Sequence, residues 1–168
     1  MYIEMDRYEL GFSDLGIFNT FRIMKFNRTM PVLNGSYTLN RDLDDDYEIG
    51  FTCARSPLGN NQYQEYPMKL SRLPICQFIK SYGHEYQHLY LNYSNTPYCP
   101  PEGFCPFPKG LYWFKNMHID SNIFPPVFPE GYYRCYLDVY HVPTKKHMHH
   151  QAFYTRIRKE LLKTEIPV

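Results

Sequence analysis

The sequence predicts an all-β domain with one helix, and three observations carry that expectation. Aromatic residues make up 18% of the 168 residues, with 17 Tyr and 12 Phe beside 14 Pro, while alanine occurs only at Ala54 and Ala152. Alanine is the best helix former, whereas aromatic side chains suit a pleated, half-buried surface and prolines punctuate loops and strand edges. Apolar residues alternate with polar ones in several segments, and one segment alone carries a three- and four-residue period.

Taken in order, the first strand signal is Thr20 to Asn27, where Phe21 and Ile23 flank Arg22 and where Met24 and Phe26 flank Lys25. Met30 to Asn40 follows as a second strand, and the acidic run Asp42-Leu43-Asp44-Asp45-Asp46 reads as a turn. In Tyr47 to Arg55, Tyr47, Ile49, Phe51 and Cys53 share one face, so Cys53 points inward. After Pro74 the apolar residues Ile75, Phe78, Ile79, Tyr82 and Tyr86 predict a helix to about Tyr93, weakened at Gly83. The loop from Pro97 to Pro106 holds Cys99, Cys105 and four prolines, which exclude a helix interior or a central strand. Gly110 to Asp120 is a strand whose Leu111, Trp113, Met117 and Ile119 line its apolar face, opposite Tyr112, Asn116, His118 and Asp120. In the strand Tyr132 to His141, Tyr133, Cys135, Leu137 and Val139 oppose Tyr132, Arg134, Tyr136 and Asp138. The segment from Gln151 to Leu162 is compatible with strand or helix.

The length suits one domain spanning residues 1–168, with no repeat, linker or low-complexity segment to divide it. A formal net charge of +1, from 18 basic and 17 acidic residues, leaves no electrostatic footprint for nucleic acid or for an anionic membrane surface. No stretch approaches the roughly 20 apolar residues of a membrane span. Met1-Tyr2-Ile3-Glu4-Met5-Asp6 is amphipathic rather than a basic region leading into an apolar one, so the chain reads either as cytosolic or as a mature secreted form. Three glycosylation sequons, at Asn27, Asn34 and Asn92, favour the secreted form. The five cysteines, Cys53, Cys76, Cys99, Cys105 and Cys135, lack the paired spacing of a zinc site and point instead to disulfides plus at least one leftover thiol.

Catalytic signals are missing: there is no G-x-S-x-G, no cysteine-nucleophile signature and no phosphate-cradling glycine loop, so neither an enzyme nor a cofactor is expected. His147-Met148-His149-His150, with His141 nearby, is the metal candidate, but it lies beside Lys145-Lys146 in what reads as a hairpin turn, and no metal is assigned. The acidic run lacks the ligand spacing and glycine of a calcium loop and reads as a solvated turn. The loop carrying Phe124, Val127 and Phe128 places large apolar residues beside prolines, either folded over the core or forming the rim of a lipid entrance.

The run Cys105-Pro106-Phe107-Pro108-Lys109-Gly110-Leu111-Tyr112, followed by Gly131-Tyr132-Tyr133-Arg134, resembles the C-terminal half of the ganglioside-activator family. Nearly the whole chain resembles the insect secreted ganglioside-activator-like proteins of the chemosensory-B type, within the ML lipid-recognition superfamily. The residues concerned are Asn27-Arg28-Thr29, Leu33-Asn34-Gly35, Gly59-Asn60-Asn61 with Tyr63, Leu73-Pro74 with Cys76 and Phe78, and Tyr93-Ser94-Asn95 with Pro97. The resemblance implies two antiparallel sheets splayed into a β-sandwich or β-cup around an apolar cavity, and a secreted, non-catalytic protein binding a lipid or hydrocarbon, with a transient membrane or receptor contact. Phe78, Leu111, Trp113, Met117, Tyr133 and Leu137 then line the cavity, and Phe124, Val127 and Phe128 guard its mouth. A concave apolar site with few polar groups is what such a ligand requires.

The resemblance also implies a disulfide between Cys76 and Cys105. It would pin the helix to the sheet across a loop of about 30 residues, with a chain-entropy stabilisation of ~3–4 kcal/mol. Cys99 is the competing partner for Cys105, while Cys53 and Cys135, inward among hydrophobes, are expected to stay reduced. The alternative function is a secreted protein-interaction module with a filled core and a tyrosine-rich surface.

Overall fold

A computed structural model of the chain describes residues 2–27, 30–119 and 128–159, with the backbone alone at 66–69. As expected, the described residues are mostly β with one helical segment. Five strands, β1 (Tyr2–Ser13), β8 (Lys146–Arg158), β7 (Gly131–His141), β4 (Tyr47–Ser56) and β5 (Gln64–Pro74), lie in that spatial order in one antiparallel sheet. The second sheet has the order β2 (Gly16–Lys25), β3 (Pro31–Leu39), β6 (Gly110–Met117). The sheets pack as a sandwich, each turning one face of alternate residues to the other.

At one end the interior is closed by a continuous buried cluster. Leu15, Leu39 and Tyr112 come from the smaller sheet and the turn before it, Tyr47, Ile49, Val139 and Met148 from the larger, and Ile75 and Ile79 from the helix. That helix, α1 (75–89), is α-helical at Ile75–Phe78, widens into a π turn at Ile79–Gly83, resumes at His84–Tyr86 and ends in a 3-10 turn at Gln87–Leu89. The weak point at Gly83 has a packing reason. A Cβ there would stand 2.7 Å from Cys99 Sγ, so only glycine admits the buried thiol. The loop carrying Cys99 is further fixed by the buried Gln87, whose Nε2 donates to Cys99 O (2.9 Å) while its Oε1 accepts from Cys99 N (2.7 Å).

The acidic run is a junction rather than a merely solvated turn. Asp45 Oδ1 accepts from Cys76 N, Asp42 Oδ1 from Lys109 N, and Asp44 Oδ1 from Asp46 N. Together with the Cys76–Cys105 disulfide (Cα–Cα 5.5 Å), these bonds tie α1 and the proline-rich loop to the start of β4.

Cys53 and Cys135 depart from expectation: they form a second disulfide, with Cα atoms 4.1 Å apart. Both are inward, but β4 and β7 are neighbours whose pairing sets Cys53 directly opposite Cys135. Facing was legible from alternation; register was not. Cys99 is buried and free.

β1 and β5 carried no strand signal because both are edges. Most of β1 is exposed, and its alternation is broken by register shifts between Met5 and Arg7 and between Leu10 and Phe12. β5 contains Pro67, which an edge strand tolerates. The undecided segment from Gln151 is strand to Arg158, and the histidines precede it in the same strand, β8. The hairpin turn falls earlier, at Val142 to Lys145, where Pro143 stops β7 and Lys145 takes a positive φ of 56°.

The outer face of the larger sheet accounts for much of the tyrosine. Guanidinium groups lie over rings at Arg7–Tyr154 (4.0 Å), Arg72–Tyr140 (3.7 Å), Arg134–Tyr63 (4.5 Å), Arg134–Tyr136 (4.9 Å) and Arg156–Tyr132 (5.1 Å).

Peptide mapping without reduction is expected to yield Cys53–Cys135 and Cys76–Cys105 fragments and an alkylatable Cys99 only after unfolding. Replacing Cys76 and Cys105 together by alanine should lower stability by ~3–4 kcal/mol in denaturant melts.

Candidate functional site

The inner face of the smaller sheet carries Phe18, Tyr37 and Tyr112 in one cross-strand row, with Gly35 opposite Phe114 in the next. Gly35 leaves room for Phe21, since a Cβ on Gly35 would meet Phe21 Cα at 2.4 Å. From the larger sheet, alternation along the ladders turns Phe51, Leu137, His149, Gln151, Phe153 and Tyr8 toward these rings. Contacts cross between the sheets at Tyr8–Phe21 (4.7 Å between ring centroids) and Phe18–His149 (5.3 Å), and continue along Phe21–Phe114 (5.7 Å) and Tyr8–Phe153 (5.1 Å).

Phe21, Ile23, Phe51, Phe114, Met117, Leu137 and Phe153 all face inward, yet each is only partly buried. Side chains that face between two sheets and still keep accessible surface are not fully closed over by packed neighbours. Two open hollows, about 300 Å³ beside Ser13, Ile17 and Asn40 and about 340 Å³ beside Asp44 to Asp46, lie at the surface with polar or acidic rims and are not the expected cavity. Among the described residues the intersheet space is occupied by aromatic rings instead.

One line of polar groups crosses this apolar interior. Gln151 Oε1 can only accept, so His149 Nε2 donates to it (2.9 Å), as does the Tyr8 hydroxyl (3.2 Å). His149 Nδ1 is then bare and accepts from the Ser13 hydroxyl (2.9 Å). His149 is buried, and burial lowers its pKa from the usual imidazole value. Burial likewise pushes the Tyr8 and Tyr37 hydroxyls well above the usual tyrosine value.

The residues expected at the site divide. Tyr133 is buried, its hydroxyl donating to Pro129 O (2.7 Å); Phe78 and Leu137 pack on the core; Met117 faces Leu33; and Phe128 is half-buried. Phe124 and Val127 lie outside the described residues. Leu111 and Trp113 are corrected: they face outward, 57% and 43% exposed, and Tyr112 and Phe114 take the interior. The cause is a bulge. Between the pairs Gly35–Phe114 and Leu33–Met117, β6 has one residue more than β3, and Asn116 adopts a positive φ of 52°. Asn34 holds the bulge, its Nδ2 donating to Asn116 Oδ1 and its Oδ1 accepting from Asn116 N. Met117 is therefore inward although it shares the odd parity of the outward Leu111 and Trp113. Phe18, Phe21 and Phe114 were missed for the same reason, since β2 also shifts register between Asn19 and Arg22. A positive-φ residue and a close glycine leave no period in the sequence. Of the sequons, Asn27 and Asn92 lie exposed in turns, whereas Asn34 sits inside β3.

On the opposite, outer face of the larger sheet, Asp138, His147 and His150 bring three ligand atoms within 4.8 Å of one another.

A histidine whose folded-state pKa is lowered is kept neutral by folding, so protonation favours the unfolded chain. Stability is unaffected above the ordinary value of 6.5 and falls as pH drops below it. Thermal melts from pH 7.5 down to pH values under ~6 should show a steeper loss of Tm for the wild type than for His149→Gln.

A family model described as a protein of unknown function, DUF1091, matches residues 49–135, just over half of the chain. The match starts in β4 and ends in β7, and takes in α1, the proline-rich loop and all four disulfide-bonded cysteines. None of the curated proteins compared matches the chain. The matched segment holds most of β4, all of β5 and the start of β7 from the larger sheet and β6 from the smaller, and on that match the chain belongs to the DUF1091 family.

Proposed function

We propose that the chain is a secreted, non-catalytic carrier that holds a lipid or hydrocarbon between its two sheets, in the manner of the ganglioside-activator-like, chemosensory-B proteins it resembles. The observation that carries the reading is the set of inward-facing but incompletely buried apolar residues, Phe21, Ile23, Phe51, Phe114, Met117, Leu137 and Phe153. Tyr8, His149 and Gln151 supply the few polar groups that orient such a ligand. Two disulfides accord with an oxidising, extracellular address, and no helix among the described residues is long and apolar enough to cross a membrane.

A second reading, a protein-interaction module, draws on one observation. Ile17, Leu111 and Trp113 stand exposed on the outer face of the smaller sheet, in register across β3. The single tryptophan separates the two. With a fluorescent alkyl probe, binding in the interior leaves Trp113 emission at its solvent-exposed wavelength. In a Trp113→Phe, Phe114→Trp double variant the emission shifts to the blue as probe fills the site. A shift in the wild type and none in the double variant would overturn the carrier reading and favour the outer face.

Expression in a secretory host, with and without glycosidase, should place glycans on Asn27 and Asn92. Asn34 should stay unmodified, because its Nδ2 is engaged with Asn116.

A further inference from the structure

We propose that Asp138, His147 and His150 form a binding site for a divalent transition metal, zinc foremost, on the outer face of the five-stranded sheet and separate from the intersheet space. Strand register builds the group. Asp138 on β7 pairs directly with His150 on β8, and two residues on, Tyr140 pairs with His147. A register shift between these pairs gives β8 one extra residue, which sends Met148 and His149 into the buried interior and turns both His147 and His150 outward. Without that bulge one of the two imidazoles would face the core.

The ligand atoms converge: His147 Nε2 and His150 Nδ1 each lie 2.7 Å from Asp138 Oδ1, and a single hydrogen-bonded pair would need only one of them. Aromatic neighbours fix the ring planes. Tyr140 stacks on His147 at 4.5 Å and 14°, Phe12 meets the same ring edge-on at 4.8 Å, and Tyr136 packs on His150 at 4.9 Å. Two imidazoles and a carboxylate are a donor set for zinc and for copper(II) or nickel(II), rather than for calcium or magnesium. Zinc bonds of ~2.0–2.1 Å set tetrahedral ligands ~3.3 Å apart, so each nitrogen withdraws by ~0.6 Å from the carboxylate as the ion enters. On binding, the proton that each ring shares with Asp138 Oδ1 moves through solvent to the ring's other nitrogen, which leaves His147 Nε2 and His150 Nδ1 bare and each imidazole neutral. The side chains of Asp138, His147 and His150 are 17%, 37% and 30% exposed, so at least one coordination position is open to water or to an external donor.

The test is calorimetric titration of the chelator-treated, full-length chain with zinc chloride, paired with zinc analysis after dialysis. One zinc per chain is expected, with affinity reduced at least about tenfold in His147→Ala, in His150→Ala and in Asp138→Asn. His88→Ala, which removes an exposed histidine on α1, should leave it unchanged. Circular dichroism checks the fold of each variant, and His147→Gln and His150→Gln replace any that does not fold. Absence of binding, retention of full affinity in the His147→Ala, His150→Ala double variant, or an equal loss in His88→Ala would overturn the site.

Discussion

The pairing of β4 with β7 is the constraint on which the remaining geometry depends. It runs from Tyr47 opposite His141 to Ser56 opposite Tyr132 without a register shift, whereas the other ladders of the same sheet each contain at least one. That continuity puts Cys53 against Cys135, Phe51 against Leu137 and Ile49 against Val139, which aligns the inward face of the sheet. β8 then takes its register from β7, and its single bulge divides the four residues His147 to His150 between the outside and the core. Interior polarity, through His149, and the outer cluster, through His147 and His150, are thus two results of one displacement.

The fold was legible where a strand is buried on one side and regular along its length. β3, β4 and β7 were recognisable from alternation, and α1 from its three- and four-residue period. The edge strands β1 and β5 of the larger sheet were not, because an element with little buried face, or one interrupted by proline, writes a weak pattern. The site was legible in kind but not in address: the aromatic residues are there, yet the rings that meet between the sheets are Phe18, Phe21, Tyr37 and Phe114 rather than Trp113. Period-two reasoning fails at the first bulge, and both β2 and β6 contain one. The Cys53–Cys135 bond escaped for the related reason that pairing partners are not encoded in the facing of either strand alone.

The two disulfides serve different parts of the molecule. Cys53–Cys135 joins neighbouring strands that already pair, whereas Cys76–Cys105 joins elements with no ladder between them, a helix and a loop. The second therefore holds the closed end of the sandwich in company with Gln87, Gly83 and the acidic junction. With that end fixed, the side chains left with room to move are those toward the middle of the sandwich, where the inward residues are incompletely buried. On the proposed carrier reading, a rigid base with adaptable rings above it would suit ligands of varied length.

The arginines lying flat over tyrosines on the outer face have a further consequence. Open sheets ordinarily need a second layer, or a partner molecule, to shield a side rich in large rings. Here the guanidinium groups of Arg7, Arg72, Arg134 and Arg156 act as that layer, lying flat over the rings. The attraction is to a ring quadrupole, joined at Arg7 by Glu9 (3.4 Å) and at Arg72 by Glu48 (3.7 Å). A tyrosine-rich outer face is thereby shielded within the chain itself, at a formal net charge of only +1.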